Sequence, residues 1–133
     1  MKTTEIIGLF DNTKYNKLSL KSSKKYQNAK PFPNINFKNF LNVEIADKLN
    51  KNFPKYNSAN WIKYKNYNTS KNSNLKKSIH DERNFPLIFR SIFRELNSRQ
   101  FLLFLETLTG IENLIPDPYF LGGGIHSAKK NGF

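Results

Sequence analysis

The stretch from Asn84 to Gly110 contains two consecutive apolar helical patterns, and it limits the possible folds more than any other part of the chain. The first helix is predicted to start at Asn84, because Pro86 is tolerated in a first helical turn. The second is predicted to open at Ser98 and to end at Gly110, since glycine favours the position after a helix. Both patterns are apolar on more than one side, through Leu87, Phe89, Ile92, Phe93 and Leu96 and then Phe101, Leu102, Leu105 and Leu108. Such helices need a sheet to cover, and the rest of the chain predicts few strands.

The remaining patterns are short and mixed, which predicts an α+β fold class. A helix is expected after Asn42, with acids early, lysines late and Pro54 beyond its end. Apolar and aromatic runs predict strands, and Lys, Asn and Ser runs predict segments without regular structure. The predicted strands are 6–10, 32–37 and 61–67, the predicted mobile connector is 11–30, and the predicted polar loop is 68–77.

Composition excludes several classes of protein. The chain has 133 residues, enough for one domain, and no cysteine, so it has neither disulfides nor a thiolate metal site. Its longest apolar run, Phe101 to Leu105, is too short to cross a bilayer. The first residues lack the apolar core of a signal peptide. We therefore expect a cytoplasmic protein without a membrane partner.

Charge is distributed unevenly along the chain. Residues 1–77 hold 16 lysines against four acidic residues, whereas residues 78–128 hold four arginines against six acids. Such asymmetry is typical of proteins that bind nucleic acid or anionic surfaces. The chain also has 19 asparagines, and an excess of both Lys and Asn is what an A/T-rich coding sequence produces. We give this second explanation more weight and do not expect nucleic acid as a partner.

Three sequence patterns are candidates for chemistry. Gly122-Gly123-Gly124 lacks the Gly-Lys-Ser/Thr that completes a phosphate loop, and it predicts a tight turn or a close backbone approach beside a strand. His80-Asp81-Glu82 with His126 forms a formal set of metal ligands, but the two acids are better explained by a helix N-terminus. The alternation of Trp61, Lys63, Tyr64, Lys65 and Tyr67 fits either a single-strand binder or a half-buried strand with an outer lysine face, and we favour the strand.

The C-terminal third carries a resemblance to a known family. Thr107-Leu108-Thr109-Gly110-Ile111, then Pro116-Asp117-Pro118 and Gly122-Gly123-Gly124-Ile125-His126, resemble bacterial 2-oxoglutarate/Fe(II) dioxygenases of the prolyl-4-hydroxylase-like group. In that family a turn like Asn131-Gly132-Phe133 leads into the strand that carries His-x-Asp, the first iron ligands. The resemblance therefore implies a front part of such an enzyme, cut before its iron motif.

Several expectations follow from this resemblance. It implies a double-stranded β-helix (jelly-roll) core, to which this chain contributes the first strands and the buttressing helices. Residues 1–30 are then a flexible basic segment, and 31–133 are the incomplete N-terminal portion of the dioxygenase domain. The whole enzyme would use Fe(II), 2-oxoglutarate and dioxygen to hydroxylate a protein, glycan or small molecule. No catalytic residue or metal ligand is expected within the chain, which would be inactive alone.

The resemblance also suggests where 2-oxoglutarate would approach the chain. His126 lies just before the expected ligand strand, so it lines the mouth of the cofactor pocket or else faces solvent. Tyr119 is a second candidate, or a packing residue. Lys129 or Lys130 could attract the carboxylates, but neighbouring strand residues point to opposite faces, so at most one can. The cofactor-binding candidates are thus His126, Lys129 and Tyr119.

Two further classes of function stay open. One is a small basic nucleic-acid-binding module, which steeply salt-dependent binding would support. The other is a non-catalytic interaction domain whose apolar helices dock on a partner. Cooperative melting of monodisperse protein would indicate an autonomous domain, and exposed apolar surface would indicate part of a larger enzyme.

Overall fold

The computed structural model describes residues 11–58, 61–63, 76–120 and 123–130. Four α-helices occur in this part: α1 (Asn12–Gln27), α2 (Val43–Lys51), α3 (Leu87–Leu96) and α4 (Arg99–Thr109). Three strands, β1 (Ile62–Lys63), β2 (Lys76–Ile79) and β3 (Ile125–Ala128), form an antiparallel sheet in the order β1-β2-β3. A short 3-10 helix, Glu82–Asn84, precedes α3. The mixed α+β class is therefore correct.

The connector predicted for residues 11–30 is wrong over 12–27, where the chain forms α1. The Asp11 side chain caps this helix by accepting a hydrogen bond from the Lys14 backbone N–H. Its inner face is narrow and partly polar, with Tyr15, Ser19 and Ser22 buried against α4. The small serines let the two helices approach closely, but they do not produce the apolar stripe by which an amphipathic helix is recognised.

The helices α1 and α4 run parallel. Asn12 at the start of α1 lies beside Ser98 at the start of α4, and Gln27 at the other end reaches Gly110. The predicted end of α4 is confirmed, since Gly110 adopts the left-handed conformation with φ of 76°. The expectation that α4 covers a sheet is not met. Helix α4 packs against helix α1 instead.

The strand predicted for residues 32–37 is also wrong. This segment has no regular structure, and it lays aromatic side chains on the α1–α4 core. Tyr15 contacts the ring of Phe40 with a centroid distance of 4.7 Å and donates a hydrogen bond to the Phe40 carbonyl. Phe37 stacks on the same Phe40 ring at 5.7 Å. Packing of single aromatic residues therefore orders this segment, and no strand partner is involved.

Helix α3 joins two hydrophobic clusters. Its Ile92 belongs to the cluster with Tyr15, Phe104 and Leu108, between α1 and α4. Its Phe89 belongs to the second cluster, which contains Trp61, Ile79, Phe85 and Ile125 on one face of the sheet. The predicted two-sided apolar character of this helix is explained by these two partners. The predicted α2 is confirmed as well, with the Asn42 side chain capping the Glu44 N–H.

The sheet differs from its predicted limits. Only Ile62–Lys63 of the strand predicted at 61–67 is formed within the described residues, and 64–67 lie outside them, as does the strand predicted at 6–10. The polar loop predicted for 68–77 is wrong at its end, because Lys76 and Lys77 begin β2. Within the described residues, no helix is long and apolar enough to cross a membrane.

Candidate functional site

The pairing of β2 with β3 separates the sheet into two chemically different faces. Ile79 lies opposite Ile125, and both are buried beneath α3. Ser78 lies opposite His126. Because side chains alternate along a strand, Ser78 and His126 point away from α3. We call this second surface, with Ser78, His80 and His126, the histidine face.

A chain of hydrogen bonds orders the histidine face. The Ser78 hydroxyl lies 2.7 Å from His80 Nε2, and His80 Nδ1 lies 3.1 Å from the Gly123 carbonyl oxygen. A carbonyl only accepts hydrogen bonds, so Nδ1 carries the proton, and in the neutral ring Nε2 accepts from the hydroxyl. His80 therefore ties the end of β2 to the turn that precedes β3.

The Ser78–His80 pair has the composition of a nucleophile and its base, but not the accessibility. Ser78 is fully buried, with an exposed fraction of 0%. A hydroxyl without access to solvent cannot reach a substrate carbonyl. The pair is therefore a structural link. His126 is the exposed member of this surface, and its ring centroid lies 5.5 Å from that of His80.

The glycine turn before β3 is required by close packing. A Cβ atom on Gly124 would lie 2.7 Å from the Ile79 carbonyl oxygen and 2.9 Å from His80 Nδ1. No side chain fits in that space. The prediction of a close backbone approach beside a strand is confirmed at Gly124, while Gly122 lies outside the described residues.

The described residues do not fit an iron site. They contain no cluster of three His, Cys, Asp or Glu side chains that could hold a metal ion. In the formal ligand set, both ring nitrogens of His80 have hydrogen-bond partners. Asp81 forms an ion pair with Arg83 at 2.6 Å, and Glu82 forms one with Arg94 at 3.2 Å.

The two acids instead organise the start of the helical region. The Asp81 side chain accepts from the Arg83 backbone N–H and caps the 3-10 helix, which confirms the helix-terminus interpretation. Hydrogen bonds from Arg83 hold the pKa of Asp81 at about 2. The hydrogen bond from the Arg94 guanidinium lowers the pKa of Glu82. The Asp81 carboxylate therefore remains ionised well into the acidic range.

The three cofactor-binding candidates lie in different surroundings. His126 is exposed on the histidine face. The Lys129 ammonium lies 4.9 Å from the centroid of the Tyr56 ring, which Lys77 also approaches at 4.0 Å. Lys77 lies opposite Ser127, on the face that α3 covers, so Lys129 and His126 are on opposite sides of the sheet. The structure does not bring these two candidates together.

Tyr119 lies in the segment between α4 and β3. Its side chain is 78% exposed, and its backbone N–H donates to the Asp117 side chain. A groove of about 290 Å³ lies near the start of this segment, and it does not include Tyr119. The groove is lined by Arg99, Leu102, Asn113, Leu114 and Pro116.

Trp61, the first aromatic residue of the basic-aromatic pattern, is unavailable for stacking on a base. Trp61 is 8% exposed, packs in the cluster beneath α3, and donates from Nε1 to the Lys55 carbonyl at 2.7 Å. Trp61 is thus buried, as the half-buried strand interpretation expected, but it lies just before β1 and not within it. Tyr64, Lys65 and Tyr67 lie outside the described residues.

Sequence reasoning missed the Ser78–His80 link. The signal was present, since Ser78, Ile79 and His80 alternate polar and apolar residues as a half-buried strand does. The surrounding lysines and asparagines masked it and predicted a loop. The partner of His80 is a backbone carbonyl, which no side-chain pattern reveals.

Comparison of the chain with protein-family models, with curated proteins and with solved structures found no match.

Proposed function

We propose that this chain is the N-terminal part of a 2-oxoglutarate- and Fe(II)-dependent dioxygenase of the prolyl-4-hydroxylase-like group. The proposal begins from the resemblance of residues 107–126 to that group. Its strands would belong to a jelly-roll core, and α3 and α4 would belong to the helical layer outside that core. The iron ligands would come from residues that follow Phe133.

The observation that carries the proposal is the unequal covering of the two faces of the sheet. Phe85 and Phe89 cover the face with Ile79 and Ile125. On the other face Ser78 is buried beside His80, whereas His126 is exposed. A sheet that is buttressed by a helix on one face and accessible at His126 on the other would suit the front part of a jelly roll, since sheets of a double-layer fold pack face to face.

In this arrangement the histidine face would look toward the interior of the jelly roll. His126 would then lie at the mouth of the 2-oxoglutarate pocket. Lys129 lies on the buttressed face, so a role for it would require an approach around the edge of β3. Tyr119 would contribute from the preceding segment. Because the described residues do not fit an iron site, no chemical step is assigned to them.

The test uses the reading frame and its product. The frame is expected to continue beyond the codon for Phe133 into His-x-Asp, and later into a further histidine and an Arg or Lys. The product of the whole frame is expected to form succinate from 2-oxoglutarate when Fe(II) and dioxygen are supplied, and the 133-residue chain to form none. A stop codon directly after Phe133, or a longer product without turnover, would overturn the proposal.

A further inference from the structure

Helix α1 collects lysines on the side that faces away from the core. At about 100° per residue, its five lysines fall within an arc of about 100°. All five are exposed, whereas Tyr15, Ser19 and Ser22 on the inner side are buried. We call this surface the α1 lysine stripe; it consists of Lys14, Lys17, Lys21, Lys24 and Lys25.

The positive charge of the stripe is not neutralised within the described residues. Helix α1 contains no acidic residue. The ion pairs between described residues are all formed by arginines outside this helix. Lysines four positions apart repel one another, as Lys17 and Lys21 or Lys21 and Lys25 do, and this destabilises the helix. An anionic partner would relieve that repulsion.

The dimensions of the stripe suit a regular polyanion. Lys14 and Lys25 are separated by eleven residues, which is about 16 Å along the helix. A duplex strand carries one phosphate per about 3.4 Å of axis, so roughly five phosphates pass along that length.

We propose that the α1 lysine stripe binds the phosphate backbone of a nucleic acid. A membrane surface fits less well, because an interfacial helix inserts its apolar face, and the inner face of α1 is packed against α4. A protein partner also fits less well, since lysine is depleted in protein interfaces. An A/T-rich coding sequence explains the number of lysines in the chain. It does not explain why five lysines share one face of a helix with no acidic residue between them.

The test compares two triple variants with the same net charge. In the stripe variant, Lys17, Lys21 and Lys24 become glutamine. In the control variant, the exposed Lys38, Lys48 and Lys51 become glutamine. Binding of each protein to a fluorescein-labelled DNA duplex of about 20 base pairs is followed by anisotropy between about 50 and 200 mM salt. Far-UV circular dichroism verifies that α1 is retained.

The wild-type protein is expected to lose affinity steeply as salt rises. The slope of log K against log salt is expected to be shallower by about 3 in the stripe variant, because each phosphate contact contributes about −0.9. The control variant is expected to retain the wild-type slope. Equal weakening of the two variants, or no binding of the wild type at about 50 mM salt, would overturn the assignment.

Vesicles of phosphatidylserine and phosphatidylcholine provide the second arm of the test. If the stripe variant loses vesicle binding while all three proteins bind DNA equally, the stripe serves a membrane surface, and the nucleic-acid assignment is overturned. The proposal predicts the opposite pattern, with DNA binding sensitive to the stripe and vesicle binding weak in all three proteins.

Discussion

Replacing Gly124 with alanine probes the contact between β2 and the turn before β3. The new Cβ would lie 2.7 Å from the Ile79 carbonyl oxygen and 2.9 Å from His80 Nδ1. Relieving the first contact requires the turn and β2 to separate by about 0.8 Å, because carbon contacts are favourable only near 3.5–4.0 Å. Interstrand hydrogen bonds of about 2.9 Å would then exceed the useful length.

The cost of Gly124→Ala follows from these distances. Overpacking of a rigid site costs about 1–3 kcal/mol, and loss of the His80–Gly123 hydrogen bond adds about 1 kcal/mol. We therefore expect the free energy of unfolding to fall by about 2–4 kcal/mol. With a urea m-value of about 1.5 kcal/mol/M, the midpoint of unfolding moves down by about 1–3 M. Far-UV circular dichroism in urea measures this shift.

The neighbouring glycine provides a matched control. A Cβ on Gly123 would meet Phe93 Cε1 at 3.8 Å and the Phe120 Cβ at 3.9 Å, which are ordinary contacts. Gly123→Ala is therefore expected to change the free energy of unfolding by less than about 1 kcal/mol. If both variants lose the same stability, or Gly124→Ala loses none, the close approach of the turn to β2 is refuted.

Three further predictions address other parts of the fold. Tyr15→Phe removes the hydrogen bond to the Phe40 carbonyl and is expected to lower the free energy of unfolding by about 0.5–1.5 kcal/mol in urea titrations; an unchanged midpoint would contradict this. Phe104→Ala is expected to cost about 3–5 kcal/mol, while Leu103→Ala, at an exposed neighbour, costs far less; equal costs would exclude the α1–α4 core. Asp81→Asn is expected to flatten the loss of stability as pH falls from about 4 toward 2, because the unfolded carboxylate binds protons first; pH-dependent unfolding tests this.

Local signals in the sequence correctly predicted the helix ends that carry a clear capping residue. Asn42, Ser98 and Gly110 act through their own side chain or conformation, so one residue is enough to indicate a helix end. The close approach at Gly124 was indicated in the same way. These features depend on neighbours in the chain, and therefore a single sequence contains them.

The elements that were missed depend on distant residues. Helix α1 is stabilised by its packing against α4, some 80 residues away, where Tyr15 lies beside Phe104, whereas its composition predicts a connector. The segment around Phe37 is ordered by Phe40 and Phe104, without any strand partner. The sequence of β2 resembles a loop because Ile79 is its only apolar residue. Tertiary packing overrides local preference in each case.

The candidate site was only partly visible in the sequence. His126 was considered because the resemblance places it just before the expected ligand strand. Its neighbour His80 was considered as a metal ligand, whereas in the structure it links Ser78 to Gly123. The position of Lys129 on the other face depends on the register of β2 with β3, and register cannot be derived from one strand alone.

The different exposure of His126 and His80 on the histidine face is tested most directly by the reactivity of the two histidines toward diethylpyrocarbonate, mapped by mass spectrometry. His126 is exposed, and it is expected to be modified rapidly in the folded chain. His80 has hydrogen-bond partners at both ring nitrogens, and it is expected to react only when the protein unfolds. Equal rates for the two histidines, or faster modification of His80, would contradict an arrangement in which His126 is exposed on the histidine face and His80 is held by Ser78 and Gly123.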